Sequence, residues 1–285
     1  MDVRMMHLEL PVDWRKHLTY WNKTLCRMLI DSGMFRVTDT LEPFPARAGV
    51  RNCNFHVMRI DGKVVGVDTW DTWDPSAAYF TKGLFSEWPH MCRLLKIQYY
   101  PCKFWEKFTA ETHIPVGPWT IFPSSEFPLG HFQWQAETKK DFVGSLSGRN
   151  DRFGRQKWMD WCRAQPDFHV QKHNRYKVPA TEFLKTMQQC EWGISLKGKQ
   201  RNHDGKNRRE CEFSSCGIPM VLNYIPTYPF PMQPMVDFYY VEKPEDLAAL
   251  RTVDPRPFAL ASRSLYENYF SPKGMSRTLL RLISN

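Results

Sequence analysis

"KGKQRNHDGKNRRECEFSSCGIPMVL", residues 197–222, sets Lys197, Lys199, Arg201, Lys206, Arg208 and Arg209 ahead of two glutamates, a glycine and an apolar "IPMVL". The cationic part has no hydrophobic period and reads as a loop. "NRRECEFSSCG" reads as a helix closed by Gly217, and "IPMVLNY" as a buried strand bounded by Pro219 and Pro226. Upstream, "DFVGSLSGR" is a strand entering a glycine loop and "DRFGRQKWMDWCRAQ" a helix. "FHVQKH" then reads as a strand, "ATEFLKTMQQC" as a helix and "EWGISL" as a strand. Strand and helix alternate throughout, which predicts a parallel sheet with helices on both faces, an α/β fold.

Toward the N-terminus, "MDVRMMHLELP" reads as a strand stopped by Pro11. "DWRKHLTYWNKTLCRMLIDSG" follows as a helix, with Leu18, Trp21, Leu25, Met28 and Leu29 at helical spacing, Asp13 as N-cap and Gly33 as terminator. "FHVMRIDGKVVGVDTWD" carries a hairpin signal at Asp61-Gly62, and "LLKIQYYP" is a further strand. "THIPVGPWTIFPSSEFPLG" is dense in Pro and Gly and reads as the connection between two lobes. The C-terminal "SLYENYFSPKGMSRTLLRLI" is expected to be helical, with a break at residues 271–274.

The chain has 285 residues, 42% hydrophobic and 14% aromatic, enough to bury a core in each of two lobes. Its formal charge is +9, and residues 137–212 hold 17 Lys and Arg against 10 Asp and Glu. The basicity therefore belongs to one segment and is suited to phosphates. Eight cysteines and nine histidines show no zinc-type spacing. With no secretory h-region and no apolar run of about 18 residues, the expectation is a cytoplasmic protein with reduced thiols and no membrane span.

In an open parallel sheet, ligands bind where strands end and helices begin, because helix N-termini and loop amides offer unsatisfied donors to anions. The cations of residues 197–209 occupy such a place and suit a diphosphate. Glu210 and Glu212 cannot bind phosphate, but a carboxylate one turn inside the helix can accept two ribose hydroxyls. The alternative is a solvated charged loop before an amphipathic helix. Asp68, Asp71 and Asp74 lie just beyond a strand, where one of them can act as a base or all can simply form turns. Trp70, Trp73, Trp88, Trp105 and Trp119 either stack on a ligand or fill a core; Trp158 and Trp161 read as packing. His203 either donates to a ligand from the cationic loop or is solvated. There is no Asp-x-Asp motif, and the cationic loop can itself stabilise a leaving diphosphate, so metal independence is the expectation, with Asp68, Asp71 and Asp74 near enough in sequence to keep a divalent site open.

"RECEFSSCGIP", residues 209–219, resembles the R-x-x-E-x-x-x-x-G-x-P segment of nucleotide-sugar glycosyltransferases with the GT-B fold. "DFVGSLSGRNDRFGR" is similar to the strand and glycine loop that open their C-terminal donor lobe, followed by a helix with an early arginine. The resemblance covers about residues 139 to 280. It implies two Rossmann-like lobes with the active site in the cleft between them. Residues 1–130 would be the acceptor-side lobe and 131–285 the donor lobe, with the last helix crossing back.

By this resemblance Gly144, Gly148 and Arg149 match the glycine loop, Arg209 the phosphate-side cation and Glu212 the ribose acid; Glu210 has no counterpart. Lys197, Lys199, Arg201 and Arg208 join them as donor-binding residues. The implied reaction moves a sugar from a nucleotide-diphosphate sugar to an acceptor hydroxyl, with Asp71 first and Asp68 second as base if it inverts. The acceptor is a glycan or a hydroxylated base in DNA; DNA modification would fit a viral enzyme in its host's cytoplasm, and a bacterial origin is also consistent. A different class remains open: a non-catalytic nucleic-acid-binding protein that uses the basic loop for phosphates and aromatic rings for stacking.

Overall fold

The computed structural model describes residues 5–12, 14–18, 20–41, 55–69, 90–97, 99, 102–120, 129–134, 142–145, 154–171, 179–196 and 208–284. The chain divides into two compact units, Met1–Phe122 with Pro272–Asn285, and Pro123–Ser271. Both are α/β.

The first unit holds a six-stranded sheet in the order β2-β1-β3-β4-β5-β6. Its strands are β1 (Met6–Pro11), β2 (Phe35–Leu41), β3 (Phe55–Ile60), β4 (Lys63–Asp68), β5 (Met91–Lys96) and β6 (Val116–Pro118). The sheet is mixed, unlike the parallel sheet of a Rossmann-like lobe, and it contains the hairpin expected at Asp61-Gly62. β3 runs antiparallel to both β1 and β4, whereas β1 pairs β2, β4 pairs β5 and β5 pairs β6 in parallel. The cause is local. Asp61 and Gly62 take positive φ values of 44° and 82°, the two-residue turn whose twist matches a hairpin, so the chain reverses between β3 and β4.

The expected first helix is two pieces, α1 (Trp14–His17) and α2 (Tyr20–Asp31), and Gly33 at φ 67° ends the second. Asp13 lies outside the described residues. A helix not foreseen, α3 (Lys103–Thr112), buries Trp105 and Phe108 with Phe55, Val57, Val64 and Leu94 of the sheet. β6 likewise lies inside the Pro-rich stretch expected to be only a connection.

In the second unit the sheet is parallel throughout, in the order β11-β10-β9-β7-β8. The strands are β7 (Phe142–Ser145), β8 (Phe168–Gln171), β9 (Gly193–Ser195), β10 (Met220–Leu222) and β11 (Tyr239–Tyr240). They alternate with α4 (Arg155–Arg163), α5 (Ala180–Gln188) and α6 (Arg208–Cys216), as the sequence predicts. A 3-10 helix (Pro244–Arg251) and α7 (Arg256–Leu265) complete the layers. Adjacent strand residues face opposite sides, and β9 shows both sides covered. Ile194 packs with Trp158, Met159 and Phe258, while at Gly193 an added Cβ would meet the Phe213 ring of α6 at 2.8 Å. Trp158 is a core residue and Trp161 packs, partly buried, against the same core, as expected.

Beyond α7 a π-helical turn (Tyr266–Phe270) leads to α8 (Pro272–Ser284). The break falls at Ser271 alone, because its ψ of 158° leaves the helical region, and Gly274 lies inside α8. α8 packs along α2 in the first unit. Lys63 Nζ donates to the Ile283 carbonyl at 2.8 Å and Arg93 Nη1 to that of Leu282 at 2.6 Å, so two cations satisfy the open C-terminal end of this helix.

Candidate donor-binding site

Numbered within the second unit alone, the strand order is 2-1-3-4-5, and the chain changes direction of winding between its first and third strands. Those strands are β7 and β9, hydrogen-bonded side by side with Val143 opposite Gly193 and Gly144 opposite Ile194. Ligands of such sheets lie outside the carboxyl ends of the strands at this switch point. In sequence, the glycine-bearing segment comes next after β7 and the cationic segment next after β9.

Gly144 lies within β7, paired with Val170 on one side and Ile194 on the other. Gly148, Arg149, Lys197, Lys199 and Arg201 lie outside the described residues, as do Lys206 and His203. Arg155, in the first turn of α4, donates from Nη2 to the Leu196 carbonyl at 3.0 Å, tying the helix after β7 to the end of β9. It is the early arginine of the sequence, not singled out there as a site residue.

Arg208 and Arg209 open α6 and are half-buried. The Arg209 guanidinium carbon stands 4.2 Å from the centre of the Phe183 ring, a cation–π contact with α5, and Nη1 is ion-paired with Glu212 Oε2. Glu212 is buried at 2% exposure. Carboxylate and guanidinium therefore sit together near the N-terminal end of the helix, Arg209 in its first turn and Glu212 one turn in.

Glu210, without a counterpart in the resemblance, is fully buried at 0% exposure. Its Oε1 accepts the hydroxyl of Tyr224 and its Oε2 that of Tyr228. Tyr224 also shares a hydrogen bond of 3.1 Å with Ser195 Oγ, the last residue of β9. Burial, the nearby Glu210 charge and the hydrogen bond to it push the Tyr228 hydroxyl well above its ordinary range, so it stays protonated and donates. No signal in the sequence marks these tyrosines, because they join Glu210 only through the turn after β10. α6 closes with Gly217 at φ 70°, whose N–H donates to Ser214 while that of Ile218 donates to Phe213, the double bond of a Schellman end. Burial, with Glu212 and Glu210 adding to it, also holds the Cys211 thiol far above its ordinary value, which makes it packing rather than a nucleophile.

In the first unit Asp71 and Asp74 lie outside the described residues, but Asp68 ends β4. Lys96, directly opposite on β5, donates to Asp68 Oδ2 at 2.7 Å, and both side chains are buried. The Lys96 ammonium lies 5.9 Å from the centre of the Trp105 ring. Trp105 and Trp119 are core residues at 2% and 0% exposure, which removes them from the candidate stacking rings; Trp70, Trp73 and Trp88 lie outside the described residues. Among the described residues no group of three or more His, Cys, Asp or Glu is arranged to hold a metal ion. No described helix is long and apolar enough to cross a membrane.

Comparison with protein-family models and with curated proteins finds no match for this chain. Among solved structures, a chain of the crystal structure of the GtfA/B complex is similar to it with a TM-score of 0.45 and 10% identity. The alignment covers 72% of this chain and 47% of that one, so this chain matches about half the length of the larger protein.

Proposed function

We propose that the chain is a glycosyltransferase whose second unit binds a nucleotide-diphosphate sugar. The observation that carries this reading is the adjacency of β7 and β9 at the switch point, with the glycine-bearing segment next in sequence after β7 and the cationic segment between β9 and the helix that holds Arg209 and Glu212. Lys197, Lys199, Arg201, Arg208 and Arg149 would neutralise charge on the leaving diphosphate, so that no divalent metal is needed. Glu212 would exchange its bond to Arg209 for the ribose hydroxyls, freeing the guanidinium for phosphate. The acceptor, a glycan or a hydroxylated base in DNA, would belong to the first unit, with Asp71 taking the acceptor proton if the configuration inverts. Asp68, held by Lys96, is the weaker candidate for that role. Binding and transfer would take place in the cytoplasm.

The test is calorimetric titration with UDP, GDP, ADP and CDP and with their sugars, with and without Mg²⁺, on wild type and on Glu212→Gln. One nucleotide should bind without metal, and the variant should lose about tenfold or more of that affinity, as expected when a charged hydrogen-bond acceptor is removed. Indifference to every nucleotide, together with salt-sensitive binding of oligonucleotides, would favour a nucleic-acid-binding protein instead.

A further inference from the structure

We infer that Glu210 is a positioning residue for the nucleotide site, acting through Tyr224 and Tyr228 to fix the orientation of Glu212. The inference rests on the donor-binding reading above.

Glu210 and Glu212 are two residues apart on α6, about 200° around the helix axis, so they leave opposite sides of its N-terminal end. One side is held through Glu212, Arg209 and the Phe183 ring of α5. The other is held through Glu210, whose two oxygens each receive one tyrosine hydroxyl. Those tyrosines belong to the segment that follows β10, and Tyr224 carries the connection on to Ser195 at the end of β9. The segment after β10 thus grips this carboxylate twice, and through Tyr224 the grip reaches the end of β9.

The far side of the same segment is equally constrained. Phe230 stacks on Tyr269 with ring centres 3.9 Å apart and on Tyr228 at 4.9 Å, while Phe270 meets Tyr228 edge-on at 5.3 Å. Tyr269 and Phe270 come from the π-helical turn, which widens the helix locally and is packed against α6. The segment after β10 is therefore pressed between α6 and the π turn and is a rigid abutment for Glu210. A general packing role would need no carboxylate here, since burying one costs more than burying an apolar side chain of that volume. What the carboxylate adds is direction. Two charge-assisted hydrogen bonds from fixed donors define the rotation of the helix turn, and with it where Glu212 points.

The experiment compares ribonucleoside diphosphates with their 2′,3′-dideoxy analogues, using whichever of UDP, GDP, ADP and CDP binds wild type. Titrations on wild type, Glu210→Gln, Tyr228→Phe and Glu212→Gln are run well below each protein's Tm. Wild type should prefer the ribose form by about tenfold or more, because the analogue leaves a buried acceptor unpaired. Glu212→Gln should abolish that preference. Glu210→Gln and Tyr228→Phe should shrink it to about threefold or less by weakening the ribose form alone, an effect that lowered stability by itself cannot produce in folded protein. If Glu210→Gln does not fold, Tyr228→Phe, which removes one hydroxyl, gives the answer. A wild-type ribose preference retained in these variants overturns the inference while leaving the donor-binding reading intact. Failure of wild type to bind any of the four nucleotides, or to distinguish ribose from dideoxyribose, overturns both.

Discussion

At the scale of single residues, the buried Asp68–Lys96 pair shows why a sequence reading of acids near a strand end stops short. Asp68 falls where a base was sought, but the partner that defines it stands 28 residues away on β5, brought opposite by strand register. No local pattern encodes such a pairing. Its energetics give a clear expectation. Lys96→Met should destabilise the first unit by about 3–5 kcal/mol, because it strands a carboxylate in the core. The double variant Lys96→Met with Asp68→Leu should recover most of that loss, since neither charge remains to be desolvated. Urea denaturation of wild type and the two variants measures it; equal stability in the single and double variants would refute the account. Glu210 teaches the same lesson. Its residue type was visible, but its two tyrosine partners are supplied by the turn after β10.

At the scale of elements, the second unit was legible because every strand and helix from residue 142 to 222 carries its own signal. Helices bear apolar stripes and strands are short apolar runs, with Gly and Pro between them. The first unit was less legible where those signals thin out. β2 buries just its end residues Phe35 and Leu41, so no alternation marks it, and α3 buries only Trp105 and Phe108. The antiparallel pair was visible in Asp61-Gly62, but its insertion between parallel neighbours was not, because pairing across β1 and β3 is a long-range choice. Close packing between elements yields a further expectation. Gly193→Ala should destabilise by about 1–3 kcal/mol, since its Cβ would enter the Phe213 ring at 2.8 Å and press α6 away from β9. Gly193→Ala with Phe213→Leu should be more stable than Gly193→Ala alone, which chemical denaturation would show.

At the scale of the whole molecule, buried titratable groups set a pH window of stability. Burial pushes His56 down to about 3, so the folded protein refuses a proton that the unfolded chain accepts near pH 6.5. Stability contributed by His56 is therefore complete above about pH 6.5 and is lost as pH falls toward 3, at about 1.4 kcal/mol per pH unit. Burial pushes the Cys162 and Cys216 thiols up to about 12, so the folded chain keeps protons that the unfolded chain releases near pH 9. That stability is complete below about pH 9 and is lost as pH rises toward 12. Denaturation midpoints between pH 4 and 7 should flatten in His56→Leu relative to wild type, and those above pH 9 should flatten in Cys216→Ala.

The return of α8 to α2 bears on the order in which the chain is built. During synthesis, Met1–Phe122 emerges long before Pro272–Asn285, the piece that completes the same unit. The ribosome therefore delivers the whole of Pro123–Ser271 while the first unit still lacks a helix, and that inserted stretch holds every strand of its own sheet. The part made second is the part free to mature first. Until Pro272–Ser284 has been made, Lys63 and Arg93 have no helix end to cap, and the side of α2 against which α8 packs goes without that cover.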